Sequence, residues 1–161
     1  MKTRIVSAFP ATGKTYLSGK GYEGLVISDS DSSSFSWLYD SNGQQTSVRN
    51  PRFPANYIEH IKSLIGAVDI IFVSSHFDVQ NALSESGLCW SIVIPDRSLR
   101  DEWIGRCYVR GNTESFIRAM INNWDNWTYL DLNLNVNAKC ILSSGEFIED
   151  RMYFLETIAA N

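Results

Sequence analysis

Short, unbroken apolar runs separated by helix-length segments constrain this chain most. Ile70-Ile71-Phe72-Val73 and Ile92-Val93-Ile94 contain no polar residue, and a strand without polar alternation is one covered on both faces. Arg4 to Ala8 form a similar run that leads into the loop Phe9-Pro10-Ala11-Thr12-Gly13-Lys14-Thr15. Leu25-Val26-Ile27 reads as a second strand and Lys139-Cys140-Ile141-Leu142 as a last one. Between these runs, Tyr57, Ile58, Ile61, Leu64 and Ile65 recur at helical spacing. Further helices are expected from the first loop to the glycines at 19 and 21, over about 78–86, over 98–123 with a break at Gly111-Asn112, and over about 145–159. Residues 40–52 read as a polar loop. This alternation predicts an α/β fold, a mostly parallel five-stranded sheet flanked by helices, with function at the carboxyl ends of the strands.

A chain of 161 residues fits one domain, residues 1–161. With 44% hydrophobic and 20% charged residues it is neither disordered nor a coiled coil. A net charge of −4 argues against a general nucleic-acid-binding surface, so a nucleic acid is expected only as a local substrate. The three cysteines, Cys89, Cys107 and Cys140, are odd in number and lack C-x-x-C spacing, which fits a reducing compartment. No apolar run is long enough to span a membrane, and the first residues are too few before a polar turn for a signal segment. A cytoplasmic protein is expected, monomer or homodimer, without membrane contact.

Ala8 to Thr15 has the G-x-x-x-x-G-K-[ST] spacing of a phosphate-binding loop, with alanine in place of the first glycine. Backbone N–H groups of Pro10, Ala11, Thr12, Gly13, Lys14 and Thr15, excepting the proline, can wrap a phosphate at a helix start, and Tyr16 follows directly. Lys14 would reach the β- and γ-phosphates of ATP, and the Thr15 hydroxyl would face Mg²⁺. A Gly-Lys-Thr tripeptide alone also describes an ordinary turn. The strand before it and the helix after it favour the phosphate site.

Strand, loop and an acidic motif after the second strand together resemble the nucleoside and nucleotide kinase branch of P-loop proteins. More narrowly, Phe-Pro-Ala-Thr-Gly-Lys-Thr, Asp29-Ser30-Asp31-Ser32-Ser33 and Arg110-Gly111-Asn112 are similar to those of small phage deoxynucleoside monophosphate kinases. The resemblance implies a three-layer P-loop kinase fold of strand order 2-3-1-4-5 with a lid at about 97–112. It implies transfer of the γ-phosphoryl group of ATP, with Mg²⁺, to a nucleotide acceptor such as a (deoxy)nucleoside monophosphate, in a host cytoplasm if the chain is phage-encoded. The sequence departs from that pattern at Ala8, and at Val73-Ser74-Ser75-His76, which lacks the aspartate expected after the third strand.

Asp29 and Asp31, two apart at a strand end, share a side and could serve as base, metal ligand or substrate contact, or as turn caps. Ser74 or Ser75 could hold a metal-bound water. His76 reads as a substrate contact or a structural hydrogen-bonding residue. Arg106 and Arg110, four apart on a helix, could clamp the phosphoryl group and stack on adenine, or form a solvated face with Asp101 and Glu102. Arg49 and Arg52 could hold an acceptor phosphate. Phe35, Trp37, Tyr39 and Tyr57 could stack on a base or belong to the core, and Trp103, Trp124 and Trp127 read as packing. Fold analogy puts Ser143-Ser144-Gly145 beside the adenine. A hydroxyl acceptor, such as a nucleoside, a modified DNA base or a small metabolite, is the alternative, and would make Asp29 or Asp31 an obligatory base. A nucleotide-binding regulatory module with slow ATPase activity is the alternative of another class.

Overall fold

Unbroken apolar sequence becomes fully covered strand: Ile70, Ile71, Phe72 and Val73 have no exposed surface at all. The computed structural model describes residues 2–130 and 134–161. Its main sheet contains β1 (Arg4–Ala8), β2 (Ile27–Asp29), β5 (Ile70–Val73), β6 (Trp90–Pro95) and β7 (Ala138–Leu142), ordered β2-β5-β1-β6-β7. All four neighbouring pairs are parallel. Two further strands, β3 (Trp37–Tyr39) and β4 (Gln45–Arg49), form a separate antiparallel hairpin. With the hairpin counted, the strand order differs from the expected 2-3-1-4-5; numbering only the strands of the main sheet along the chain returns that sequence of numbers.

The helices are α1 (Lys14–Lys20), the single turn α2 (Ser33–Ser36), α3 (Ala55–Leu64), α4 (Phe77–Glu85), α5 (Arg100–Val109), α6 (Glu114–Trp127) and α7 (Met152–Thr157). Parallel neighbours need crossovers, and the helices between the strands supply them, covering a sheet whose central strands β1, β5 and β6 are almost wholly buried. The arrangement is an α/β fold compatible with three layers. No helix among the described residues is long and apolar enough to cross a membrane.

Three sequence expectations are corrected. The second strand begins at Ile27, not Leu25, because it lies at the sheet edge: Val26 is exposed and its N–H is bonded to the Asp69 carboxylate. The segment 40–52 is not simply a loop. Asp40 accepts from the N–H groups of Asn42 and Gln44, Gly43 takes a positive φ, and the turn so made pairs β3 with β4. The final helix is shorter than 145–159, since a 3-10 turn at Ile148–Arg151 precedes α7. Of the tryptophans, Trp103 and Trp124 are buried, whereas Trp127 is only partly covered and lines a cavity. All three cysteines are free, and burial pushes the thiols of Cys107 and Cys140 up.

Polar struts brace the carboxyl ends of β1, β2 and β5 beneath the site. The Tyr57 hydroxyl donates to the Ser30 carbonyl at 2.6 Å and accepts from the Ser74 N–H at 3.3 Å. Ser7 donates to the Ser74 carbonyl at 3.1 Å, and its oxygen accepts from Gln80 at 3.2 Å.

Candidate functional site

After β1 the chain turns through two left-handed residues, Ala11 at φ 59° and Gly13 at φ 95°. Such a conformation costs a residue with a Cβ about 1–3 kcal/mol, so Ala11 keeps it only because its surroundings leave no alternative. Those surroundings are specific. Thr12 Oγ1 donates to the Phe9 carbonyl at 2.8 Å, Trp103 Nε1 to the Pro10 carbonyl at 2.9 Å, and Ile148 N–H to the Thr12 carbonyl at 2.9 Å. A side chain at Gly13 would be strained by its φ and crowded by the Phe147 ring, 3.3 Å from where a Cβ would stand. Alternating left-handed and ordinary dihedrals gather successive N–H groups into a concave cradle for an anion.

Lys14, the first residue of α1, folds back so that Nζ donates to the carbonyls of Ala8 at 2.9 Å and Phe9 at 3.1 Å. Burial lowers its pKa to about 8; the carboxylates of Asp29 and Asp31 oppose that effect and Arg110 adds to it. Beside it, the Thr15 hydroxyl donates to Asp29 Oδ2 at 2.6 Å. This bond joins the start of α1 to the end of β2. Among the described residues no three His, Cys, Asp or Glu side chains gather into a protein-only metal cage. One hydroxyl and one carboxylate fit Mg²⁺, which keeps several waters and takes its remaining ligands from phosphates.

Two cavities meet at Lys14, Thr15 and Arg110. The larger, about 540 Å³, lies over the ends of β2 and β5 and is lined by Asp29, Asp31, Ser74, Ser75 and His76. Asp31 Oδ1 accepts from the Ser33 N–H at 2.9 Å, a bond that shapes the turn into α2. Ser74 Oγ accepts from the His76 N–H at 3.2 Å, which places His76 just before α4. His76 faces the open cavity, yet the protein around it, and then Arg49, lower its pKa against the opposing effect of Asp78 and Asp31. The smaller cavity, about 440 Å³, is lined by Ala11 to Tyr16 together with Arg106, Val109 and Phe147.

The predicted residues therefore divide. Residues 11 to 16, Asp29, Asp31, His76 and Arg110 converge, and Pro10 lines the larger cavity. Arg49 and Arg52 line neither cavity: the Arg49 guanidinium lies 4.9 Å from the Trp37 ring and 5.4 Å from that of Phe53, and Arg52 pairs with Glu59 at 2.9 Å. Of the four aromatics that could stack on a base or belong to the core, Phe35 and Tyr57 pack together at the core with ring centroids 5.3 Å apart, Trp37 and Tyr39 lie on the hairpin, and none lines either cavity. Arg106 is held between the rings of Trp103 and Phe147, at 3.8 and 4.1 Å, and paired with Glu102 at 2.7 Å. Glu102 also accepts from the Gly145 N–H at 2.8 Å and the Ser144 hydroxyl at 2.9 Å; the Gly145 bond, then those of Arg106 and Ser144, hold its carboxyl below the usual range. Segment 97–112, expected as a lid, thus contains a buried tryptophan bonded to the loop after β1 and an arginine clamped beside it.

Sequence reasoning named Glu102 only as a partner on a solvated face and Trp127 only as packing, and missed Phe147 and, in the lining of the larger cavity, Phe77, Phe116 and Tyr129. Aromatic residues on and after a helix carry the same sequence signal whether they face a core or a cavity. The chain matches no protein-family model and no curated protein.

Proposed function

We propose that the chain is an ATP-dependent phosphotransferase of the P-loop kinase type, acting with Mg²⁺ on a nucleotide or nucleoside-like acceptor. The observation that carries this reading is the junction of Lys14 and the Thr15–Asp29 hydrogen bond, 2.6 Å long, where two cavities of donor and acceptor size meet. The smaller cavity suits the base and sugar of ATP, and the left-handed loop suits its phosphates. Mg²⁺ at Thr15 and Asp29 would neutralise charge on the β- and γ-phosphates. Lys14 leaves the carbonyls of Ala8 and Phe9 for the phosphates, and Arg110, which lines both cavities, is the arginine placed to face the group in transfer.

A deoxynucleoside monophosphate is the acceptor that the resemblance implies. The placement of Asp31 in the acceptor cavity favours a second reading, in which the acceptor is a hydroxyl. ADP release is measured with ATP, Mg²⁺ and a panel of nucleosides, nucleoside monophosphates and oligonucleotides. Acceptor-stimulated release that Lys14→Ala reduces by about two orders of magnitude or more supports the phosphotransferase. ATP binding with no acceptor-stimulated turnover would sink it in favour of a regulatory module.

A further inference from the structure

The larger cavity has an uneven charge distribution. Among its described lining residues, Lys14 and Arg110 carry fixed positive charge, and both also line the smaller cavity, where a triphosphate would engage them. The remainder of the cavity holds Asp29, Asp31 and Asp78 and a histidine whose pKa lies below its ordinary value. A monophosphate there would sit as an anion among three carboxylates; Arg52 is paired with Glu59, and Arg49, whose charge reaches His76, stacks on Trp37 and does not line the cavity.

Four aromatic rings line the same cavity, beside Asn112 and Asn126. Phe116 and Trp127 pack with ring centroids 6.2 Å apart, and Phe77 and Tyr129, 58% and 63% exposed, line the same space. Between Asp29 and Asp31, Ser30 also lines the cavity; it is 6% exposed and its hydroxyl has no partner. A buried hydroxyl left unbonded is unfavourable, so a polar ligand atom at this depth would satisfy it.

We propose that the acceptor is a hydroxyl borne by a nucleoside-sized aromatic compound, its ring held against the Phe116–Trp127 wall and its O–H directed at the Asp31 carboxylate. This rests on the phosphotransferase reading. The acceptor oxygen bonds to the γ-phosphorus as the bond from that phosphorus to the β–γ bridging oxygen breaks. The electron pair leaves on ADP, and the acceptor's proton passes to Asp31, whose Oδ1 is tied to the Ser33 N–H while Oδ2 makes no bond among the described residues. Asp29, already bonded to Thr15, keeps to the metal side. The same group could be met in a free nucleoside or in a nucleic-acid strand.

The test compares thymidine, 5-hydroxymethyl-2′-deoxyuridine and a single-stranded oligonucleotide containing the latter against thymidine monophosphate, with ATP and Mg²⁺. Product mass identifies the phosphorylated species. The expected result is Lys14-dependent phosphorylation of a hydroxyl probe at about tenfold or more the kcat/KM of the monophosphate, with turnover of the nucleoside or of the strand assigning the source. Asp31→Asn lowers kcat about 10²- to 10⁴-fold with KM for ATP unchanged, and Trp127→Leu raises KM for the probe roughly tenfold. Preference for the monophosphate, or Asp31→Asn turning over like the parent, overturns the hydroxyl acceptor and leaves the phosphotransferase standing. ATP binding with none of the probes turned over overturns it as well, and loss of ATP binding altogether removes both readings.

Discussion

Lys14 is a cation held where burial disfavours charge, and its position has a measurable consequence. Its ammonium is stabilised in the free site by the carbonyls of Ala8 and Phe9 and by nearby carboxylates, yet its pKa falls to about 8. On the proposed reading a triphosphate would favour the charged form, so bound nucleotide would raise that pKa. Around pH 7 the ammonium is present with or without nucleotide, and affinity hardly responds to pH through this group. Above about 8 the free site has released its proton and binding must take one up, so affinity declines about tenfold for each further pH unit. Fluorescence titration with an ATP analogue should show a Kd that is level near pH 7 and climbs between pH 8 and 9. Lys14→Arg, whose guanidinium stays charged, should bind without that climb.

At the scale of elements, α5, expected to belong to a lid, is tied to the loop after β1. Trp103 is fully buried and bonded to the Pro10 carbonyl, Cys107 is buried against Met120, and Arg106 is clamped by two rings and Glu102. Amides over residues 104–107 should therefore exchange as slowly as those of β6, whereas residues 110–113, at the break between α5 and α6, should exchange at least about a hundredfold faster. Hydrogen exchange followed by mass spectrometry reads this directly, and equal, rapid exchange throughout 97–112 would support the lid instead. Sequence could not separate these cases, because Arg106 four residues after Glu102 describes a solvated pair as well as a clamped one. What decides it is Phe147, forty-one residues away in sequence and above Arg106 in space. By contrast, β5 and β6 were legible because burial on both faces leaves an unbroken apolar record. The edge strand β2 and the hairpin have only partial burial, so their records are mixed. Lys14 and Thr15 stood out in the sequence for a different reason: phosphate binding by a local loop would need particular residues at fixed spacing, and the structure brings both to the junction of the two cavities.

For the molecule as a whole, the site depends on strand ends being kept in register at a sheet edge where β2 contributes only three residues. The Tyr57 hydroxyl spans that gap, bonding Ser30 after β2 and Ser74 after β5, and it is buried, with a pKa well above the ordinary tyrosine value because burial disfavours its ionised form. Removing the oxygen leaves a buried carbonyl and a buried N–H short of a partner without opening a large cavity. Tyr57→Phe should therefore cost about 1–3 kcal/mol, and at roughly 2–4 °C per kcal/mol for a chain of this size the Tm should fall by several degrees. If the loop after β1 binds ATP with Mg²⁺ as proposed, nucleotide at about a hundred times Kd adds about 2.7 kcal/mol to any variant in which that loop is intact. That loop is braced by Trp103 and Ile148, not by Tyr57, so the nucleotide-induced rise in Tm should match in parent and variant. Acceptor turnover should not match, because Asp29 and Asp31 flank the freed Ser30 carbonyl. Thermal melts with and without nucleotide, paired with kcat on a turned-over acceptor, distinguish a strut that aligns the acceptor side from one that merely stabilises the fold. An unchanged kcat beside a lowered Tm would assign Tyr57 to stability alone.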